Sequence, residues 1–367
     1  PWVEWVTIHS GKPYSMHKIE SLGAGNNCKY KMVWDFWEEE SYSYSIWNVF
    51  NAYLKKSFNC KTYLPDPWAN SLPKPQLLKI LLAPTSLLAK KYSGMKGFTK
   101  LFFSMISALM FLPVIIFKSN TLLKMVFKYG FKNFSFSDCY IVYEYLLATT
   151  GLYLNKLLYT DNIIIGSNLI AHAQHHYWNK KNKRDTCYRS LYLADDLLKM
   201  AYKNFRSKYK IFILNAISQI CITNLNEFDY LPLKGHEQLF RDLEINYLNI
   251  SPNMSNDGAI TFSSEIQMNN AFLKLERLKV SNKKLFTLNI RNNLTLEYYL
   301  SFRSKVDEKS IIEGLKKRTL FKDVFVNNGQ RTGSHSPDGF IVVPSNSDIR
   351  NVNQLISNDK LINIFKT

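Results

Sequence analysis

Apolar positions along the chain fall into three patterns. Continuous runs rich in β-branched residues stand at "DNIIIGS" (161–167) and "YKIFILNAIS" (209–218), and they predict buried strands of a parallel sheet. "GAITFSS" (258–264), "LFTLNI" (285–290) and "FIVVPS" (340–345) predict further strands. Helical spacing appears twice. Ile46, Val49, Phe50 and Leu54 predict a helix through "SYSIWNVFNAYLKK", and Leu191, Ala194, Leu198, Ala201 and Phe205 predict an apolar, core-facing stripe on "SLYLADDLLKMAYKNF".

The remaining stretches are read from their breakers. Residues 1–25 are turn-rich, and prolines at 65, 67, 73 and 75 make "YLPDPWANSLPKP" a loop. Residues 76–158 read as consecutive helices interrupted near Pro84, Gly94, Pro113 and Gly130. Strand, histidine-rich segment, helix and second strand then follow one another through 161–218. That order predicts an α/β fold, a mostly parallel central sheet flanked by helices, with ligands at the carboxyl ends of its strands. The expected division is an α/β domain from 1–67 and 159–367 with an all-helical insertion at 68–158.

Composition narrows this picture. With 367 residues and 46% hydrophobic positions the chain can bury a sizeable core, which excludes a disordered protein. Five scattered cysteines without a CxxC pair exclude a disulfide framework and a zinc knuckle, and they predict a reducing, cytoplasmic compartment. The net charge of +18 suits an anionic partner. The basic residues are nevertheless spread along the chain, beside abundant Asn, Ile, Phe and Tyr, and no nucleic-acid-binding module is present, so nucleic acid is not the expected partner. One stretch, Leu101–Phe117, is apolar between two lysines but sits at the lower length limit for a bilayer span. It predicts a buried or interfacial helix and, through it, peripheral membrane contact.

Candidate chemistry concentrates in "NLIAHAQHHYW" (168–178), which holds three of the seven histidines. On a helix, His176 lies one turn after His172 and can share an ion with it, whereas His175 points elsewhere. The alternative is a set of histidines hydrogen-bonded in a polar cleft floor without metal. HxxHH also matches one histidine box of the membrane di-iron desaturases, but no second box exists and the spans are missing. "GQRTGSH" (329–335) presents Arg331, Thr332 and His335 either into a cleft, where the guanidinium suits a phosphate or sulfate, or in an ordinary hairpin loop. His9 and His17 read as turn caps, Trp37–Glu40 as a solvated helix start, and His236 has no partner in sequence.

Four segments, in order, resemble the alkaline phosphatase superfamily of phosphodiesterases, sulfatases and related metalloenzymes. "WVTIHSGKPYSMHKI" resembles the segment after that family's nucleophile. "SIWNVFNAYLKKSFNCKTYLPDPWA" resembles its Trp-led helix, strand and proline loop. "DNIIIGSNLIAH" resembles the strand ending in D-x-x-G-H, and "GQRTGSHSPDGFIVV" the late G-x-H-x-P-x-G segment. The resemblance implies metal ligands at Asn168 (an aspartate in the family), His172 and His335, with His176 in reach, and an ester-binding role for Arg331 and Thr332. It implies zinc or manganese as the divalent ion, and a phosphate- or sulfate-bearing small molecule or glycan as partner. It also places the nucleophile and the first metal aspartate at or before Pro1. The family's second strand ends in an Asp-His pair, whereas here it ends in "LNAISQ". The expected function is therefore a diverged phosphate- or sulfate-ester hydrolase or transferase with a weakened or lost metal site. The alternative is a catalytically inactive anion- or glycan-binding scaffold.

Overall fold

The structure, a computed structural model, describes residues 2–90, 104, 107, 136–178, 184–223, 226–252, 256–344 and 355–365. These residues form a mixed α/β protein divided into two compact units. The first unites the chain up to Leu87, the part ending at Ile222 and the part from Thr332 onward; the second is, in the main, Thr223–Arg331.

The first unit is built on a three-stranded parallel sheet of order β2-β1-β3, with β1 (Tyr44–Val49), β2 (Cys60–Pro65) and β3 (Asn162–Ile165). Helices α1 (Trp2–Ser10), α2 (Tyr14–His17) and α3 (Val33–Glu39) precede or follow the chain's entry into it. α4 (Lys79–Lys90), α5 (Phe136–Leu158), α6 (Leu169–Tyr177) and α7 (Arg184–Phe205) follow in its helical part, with a short helix at Ile362–Phe365. The described helices of 68–158, α4 and α5, pack within this unit through Leu78, Leu81, Ile141, Tyr145 and Leu146 around Trp47 and Leu64. Two short antiparallel ribbons follow. β4 (Ile213–Asn215) pairs with β17 (Phe340–Val342), and β5 (Ser218–Cys221) with β16 (Gly333–Ser336).

The second unit is antiparallel. β7 (Asn249–Pro252), β8 (Asp257–Thr261), β11 (Phe286–Asn292) and β12 (Thr295–Leu300) form a sheet of order β11-β12-β8-β7. A second pair joins β6 (Phe228–Pro232) to β15 (Phe325–Gln330). The two-residue pairs β9 (Lys279–Val280) with β10 (Lys283–Lys284), and β13 (Ile311–Ile312) with β14 (Thr319–Leu320), complete its strands. Phe240, Phe286, Tyr298, Phe302 and Phe321 fill its core.

Several expectations are corrected. Among the described residues the strand pairs are mostly antiparallel, and only β1, β2 and β3 run parallel. Apolar runs announce strands but not their neighbours, and short local turns such as Asn293–Leu294 favour hairpins over crossovers. "SYSIWNVF" is a strand, not a helix: β1 is buried at every position, and a strand covered on both faces shows no alternation to oppose a chance helical spacing. The turn-rich opening contains a nine-residue helix, α1. β4 is half-buried and antiparallel to β17, and β1 is the strand hydrogen-bonded to β3 among the described residues. On α7 the predicted core stripe is only partly inward: Phe205 is buried and Ala194 and Ala201 are half-buried, whereas Leu191 and Leu198 are exposed. Its inward face mixes apolar Leu193, Leu197 and Met200 with buried Thr186, Ser190 and Arg189, the last in a 3.0 Å ion pair with Asp138 of α5.

Among the described residues, no helix is long and apolar enough to cross a membrane. The stretch 101–117 lies outside the described residues apart from positions 104 and 107.

Candidate functional site

The carboxyl ends of β1 and β3 carry a polar cluster that begins with backbone geometry. Asn48, near the end of β1, has φ +56°, a conformation that Asn tolerates better than most residues. A Cβ on Gly166, just past β3, would stand 2.3 Å from the Asn48 carbonyl oxygen, so the two strand ends touch only because residue 166 is glycine.

Into this floor α5 places Glu144, 2% exposed. Its Oε2 accepts from Asn48 Nδ2 at 3.1 Å and from the backbone N–H of Asn168 at 3.4 Å. Its Oε1 accepts from the Tyr140 hydroxyl at 3.1 Å. Burial raises the Glu144 carboxyl above the ordinary carboxylate range, and these three donors pull it back. The Asn168 contact also puts the carboxylate at the amino end of α6, where the helix dipole favours negative charge.

Sequence reasoning missed Glu144. The signal it left is a lone carboxylate inside the apolar text "YIVYEYLLATTG" of α5, since an uncompensated acid in such a face demands partners.

The predicted site residues are distributed around this floor. Asn168 is the N-cap of α6, half-buried, and its carbonyl accepts from the His172 N–H. His172 faces Tyr140, ring centroids 4.3 Å apart. His335 stands on β16 opposite Gln219, and its ring meets that of His175 edge to face at 4.7 Å. The histidine expected to point away is thus the one that the fold brings to His335. His176 follows it on α6.

Thr332 is fully buried and ties the end of α6 to β16. Its hydroxyl donates to Gln174 O at 2.9 Å and accepts from Trp178 N at 2.9 Å, and its N–H donates to His175 O at 2.8 Å. Gly333 allows this closeness, because a Cβ there would lie 2.7 Å from Gln174 O. Arg331 is the last residue of the second unit, its N–H bonded to Glu227 O at 3.0 Å.

The remaining histidines have defined settings. His17 accepts from Ile19 N through Nδ1 at 3.0 Å, and its Nε2 lies 3.1 Å from the Thr7 hydroxyl, so it is a neutral structural link. His236 Nδ1 lies 2.7 Å from the Tyr298 hydroxyl. His9 is 4% exposed between Trp5 and Trp34, and neither ring nitrogen has a hydrogen-bond partner; burial lowers its pKa to about 4. A separate cavity of about 480 Å³ opens at the carboxyl ends of β1 and β2, beside Asn51, Tyr53, Asp66, Asn70 and Lys74. Asp66 holds its wall, accepting from the backbone of Asn51, Trp68 and Ala69.

Zinc sites take three or four protein ligands. Among the described residues, no three His, Cys, Asp or Glu side chains are grouped closely enough to hold one ion. The described donors therefore fall short of a metal centre, and His175, half-buried, and His335, exposed, bring two imidazoles together.

No family model, no curated protein and no solved structure matches this chain.

Proposed function

We propose that the chain is a diverged relative of the alkaline phosphatase superfamily that engages phosphate or sulfate esters, with its metal site weakened or lost. The observation that carries this reading is the edge-to-face contact of His175 and His335, two residues far apart in sequence. Two adjacent imidazoles can hold one proton between them and offer N–H donors to an anionic ester oxygen. The buried Glu144 floor supports the reading by fixing the start of α6, the helix that carries His172 and His175. The four described free cysteines fit a reducing, cytoplasmic setting.

A second reading is an inactive anion- or glycan-binding scaffold, for which the N–H donors of the His175–His335 pair are sufficient without turnover.

The test combines turnover and binding. Hydrolysis of bis(p-nitrophenyl) phosphate and p-nitrophenyl sulfate is followed with and without zinc or manganese, and inorganic phosphate and sulfate binding is measured by calorimetry. His175→Ala, His335→Ala and Asn168→Asp are compared with His236→Ala, which lies in the other unit. Turnover lost in the first two variants and kept in the last supports the enzyme. Anion binding with the same dependence but no turnover supports the scaffold. Neither turnover nor binding in the wild-type chain overturns both.

A further inference from the structure

The ends of α5 and α7 carry an apolar and cationic surface that the histidine site does not use. The two helices run side by side in the same direction, tied by Asp138 to Arg189, Tyr145 to Asp196 and Lys156 to Asn204. Where they end, Leu157, Leu158, Tyr159, Leu198 and Tyr202 are all exposed, Tyr159 to 69% and Tyr202 to 57%. Isolated exposed apolar residues are ordinary, but three in succession at the end of α5, the last lying under Lys208 from just beyond α7, are not.

The surrounding charge is mainly positive, with Asp161 and Asp195 the exposed carboxylates of the same segments. Lys156, Lys203, Arg206 and Lys208 are exposed around this group. The Lys208 ammonium lies 4.2 Å from the Tyr159 ring centroid, and the Arg206 guanidinium 5.2 Å from that of Tyr202. The carboxylates of the same segments are engaged: Asp195 pairs with Lys199 at 2.5 Å, Asp196 accepts from Tyr145, and Asp161 accepts from Ser43. The cations that remain over the tyrosines thus face outward beside leucine, inside a chain of net charge +18.

We propose that this face docks onto an anionic lipid bilayer. Tyrosine and leucine suit the headgroup–acyl boundary, long basic side chains place their ammonium and guanidinium groups at phosphate level, and each such cation adds to the attraction of an anionic leaflet. Exposed leucines distinguish this surface from a nucleic-acid platform, which stacks bases on aromatic rings along a basic groove. The assignment does not depend on the ester-binding reading of the histidine cleft.

Co-sedimentation of the full chain with phosphatidylcholine vesicles, with and without phosphatidylserine, tests the proposal. Binding should require phosphatidylserine and weaken as salt rises. Lys203→Glu, Arg206→Glu and Lys208→Glu together should weaken it ~100-fold, at roughly fivefold or more per cation. Leu157→Ser with Leu158→Ser should weaken it several-fold at unchanged charge. A control with the same change in net charge, Lys316→Glu, Lys317→Glu and Arg318→Glu, should leave it intact, because those exposed cations lie in the second unit.

On the unmodified chain, vesicles should slow hydrogen exchange at 156–160 and 198–208, which reads the surface even where a variant folds poorly. Absence of phosphatidylserine-dependent binding overturns the proposal. So does equal weakening by the control, indifference to the leucine changes, or an oligonucleotide protecting the same segments while vesicles do not.

Discussion

The two units of this protein treat buried polarity in opposite ways. In the second, the core is aromatic and aliphatic: Tyr230, Phe240, Phe286, Tyr298, Phe302 and Phe321 pack against one another across an antiparallel sheet. In the first, Asp66, Asp138, Glu144, Arg189, His9, His17, Asn48 and Thr332 are all buried. Among the described residues, every buried polar or charged side chain belongs to this first unit. A buried polar group costs free energy unless it is partnered, so a fold retains many of them only where their geometry serves a purpose. The candidate histidine cleft lies in the polar unit, and the apolar unit has the composition of a plain folding core.

The sharpest way to break this contrast is to remove one member of the buried ion pair. Arg189→Ala leaves the Asp138 carboxylate buried without its guanidinium and should cost about 3–5 kcal/mol in denaturant unfolding. Arg189→Met combined with Asp138→Leu should recover most of that loss, because two apolar residues remove both desolvation penalties. A double variant no more stable than Arg189→Ala would mean that the charged hydrogen bonds from Arg189 to Asp138 hold the α5–α7 contact in a way apolar packing does not replace.

His9 provides a pH test of the same contrast. Its folded pKa, about 4, lies below the unfolded value of 6.5. Between these values the unfolded chain binds a proton that the folded chain refuses, so stability is full above pH 6.5 and falls as pH drops towards 4. The loss should reach about 3 kcal/mol at the lower end. Glu144 has the opposite sign: its raised pKa makes the folded state the better proton binder, so its contribution improves as pH falls from its folded pKa to the ordinary carboxylate range. The difference between wild type and His9→Leu across pH isolates the histidine. Parallel stability curves for the two would show that His9 does not stay buried and neutral.

Glu144→Gln should cost about 2 kcal/mol, since the contacts from Asn48 and Asn168 lose their charge assistance and the new NH2 forces the Tyr140 hydroxyl from donor to acceptor. Hydrogen exchange at the start of α6 should rise in step, and unchanged exchange there would separate Glu144 from the site's architecture. The smallest effect is expected in the apolar unit. His236→Phe removes the contact with the Tyr298 hydroxyl and should change stability by about 1 kcal/mol, read as a thermal shift. A larger loss would show that this unit, too, depends on a buried polar contact.

Legibility differs along the same divide. "GAITFSS" and "LFTLNI" announced β8 and β11, because a hairpin sheet with one covered face combines strand-forming residues with nearby turn signals. The opening helix α1 and the central strand β1 escaped notice, the latter because burial on both faces erases the alternation that reveals a strand. The apolar stripe of α7 was visible but assigned inward. Its inward face is held by an Arg–Asp pair whose partner lies on another helix, beyond any local window. His335 and the histidines of 168–178 stood out as residue types, whereas the meeting of His335 with His175 did not.

By itself the sequence determined which segments could be strands or helices, that the chain carries a strong positive charge, and which side chains could do chemistry. Those properties reside in single residues and in spacings of a few positions. The tertiary structure alone decided that β1 and β3 end together over Glu144, that Thr332 ties α6 to β16, and that His175 rather than His172 meets His335. Each of these joins residues distant in the chain, and the choice among partners rests on packing, glycine-permitted close approach and hydrogen-bond satisfaction summed over the whole unit.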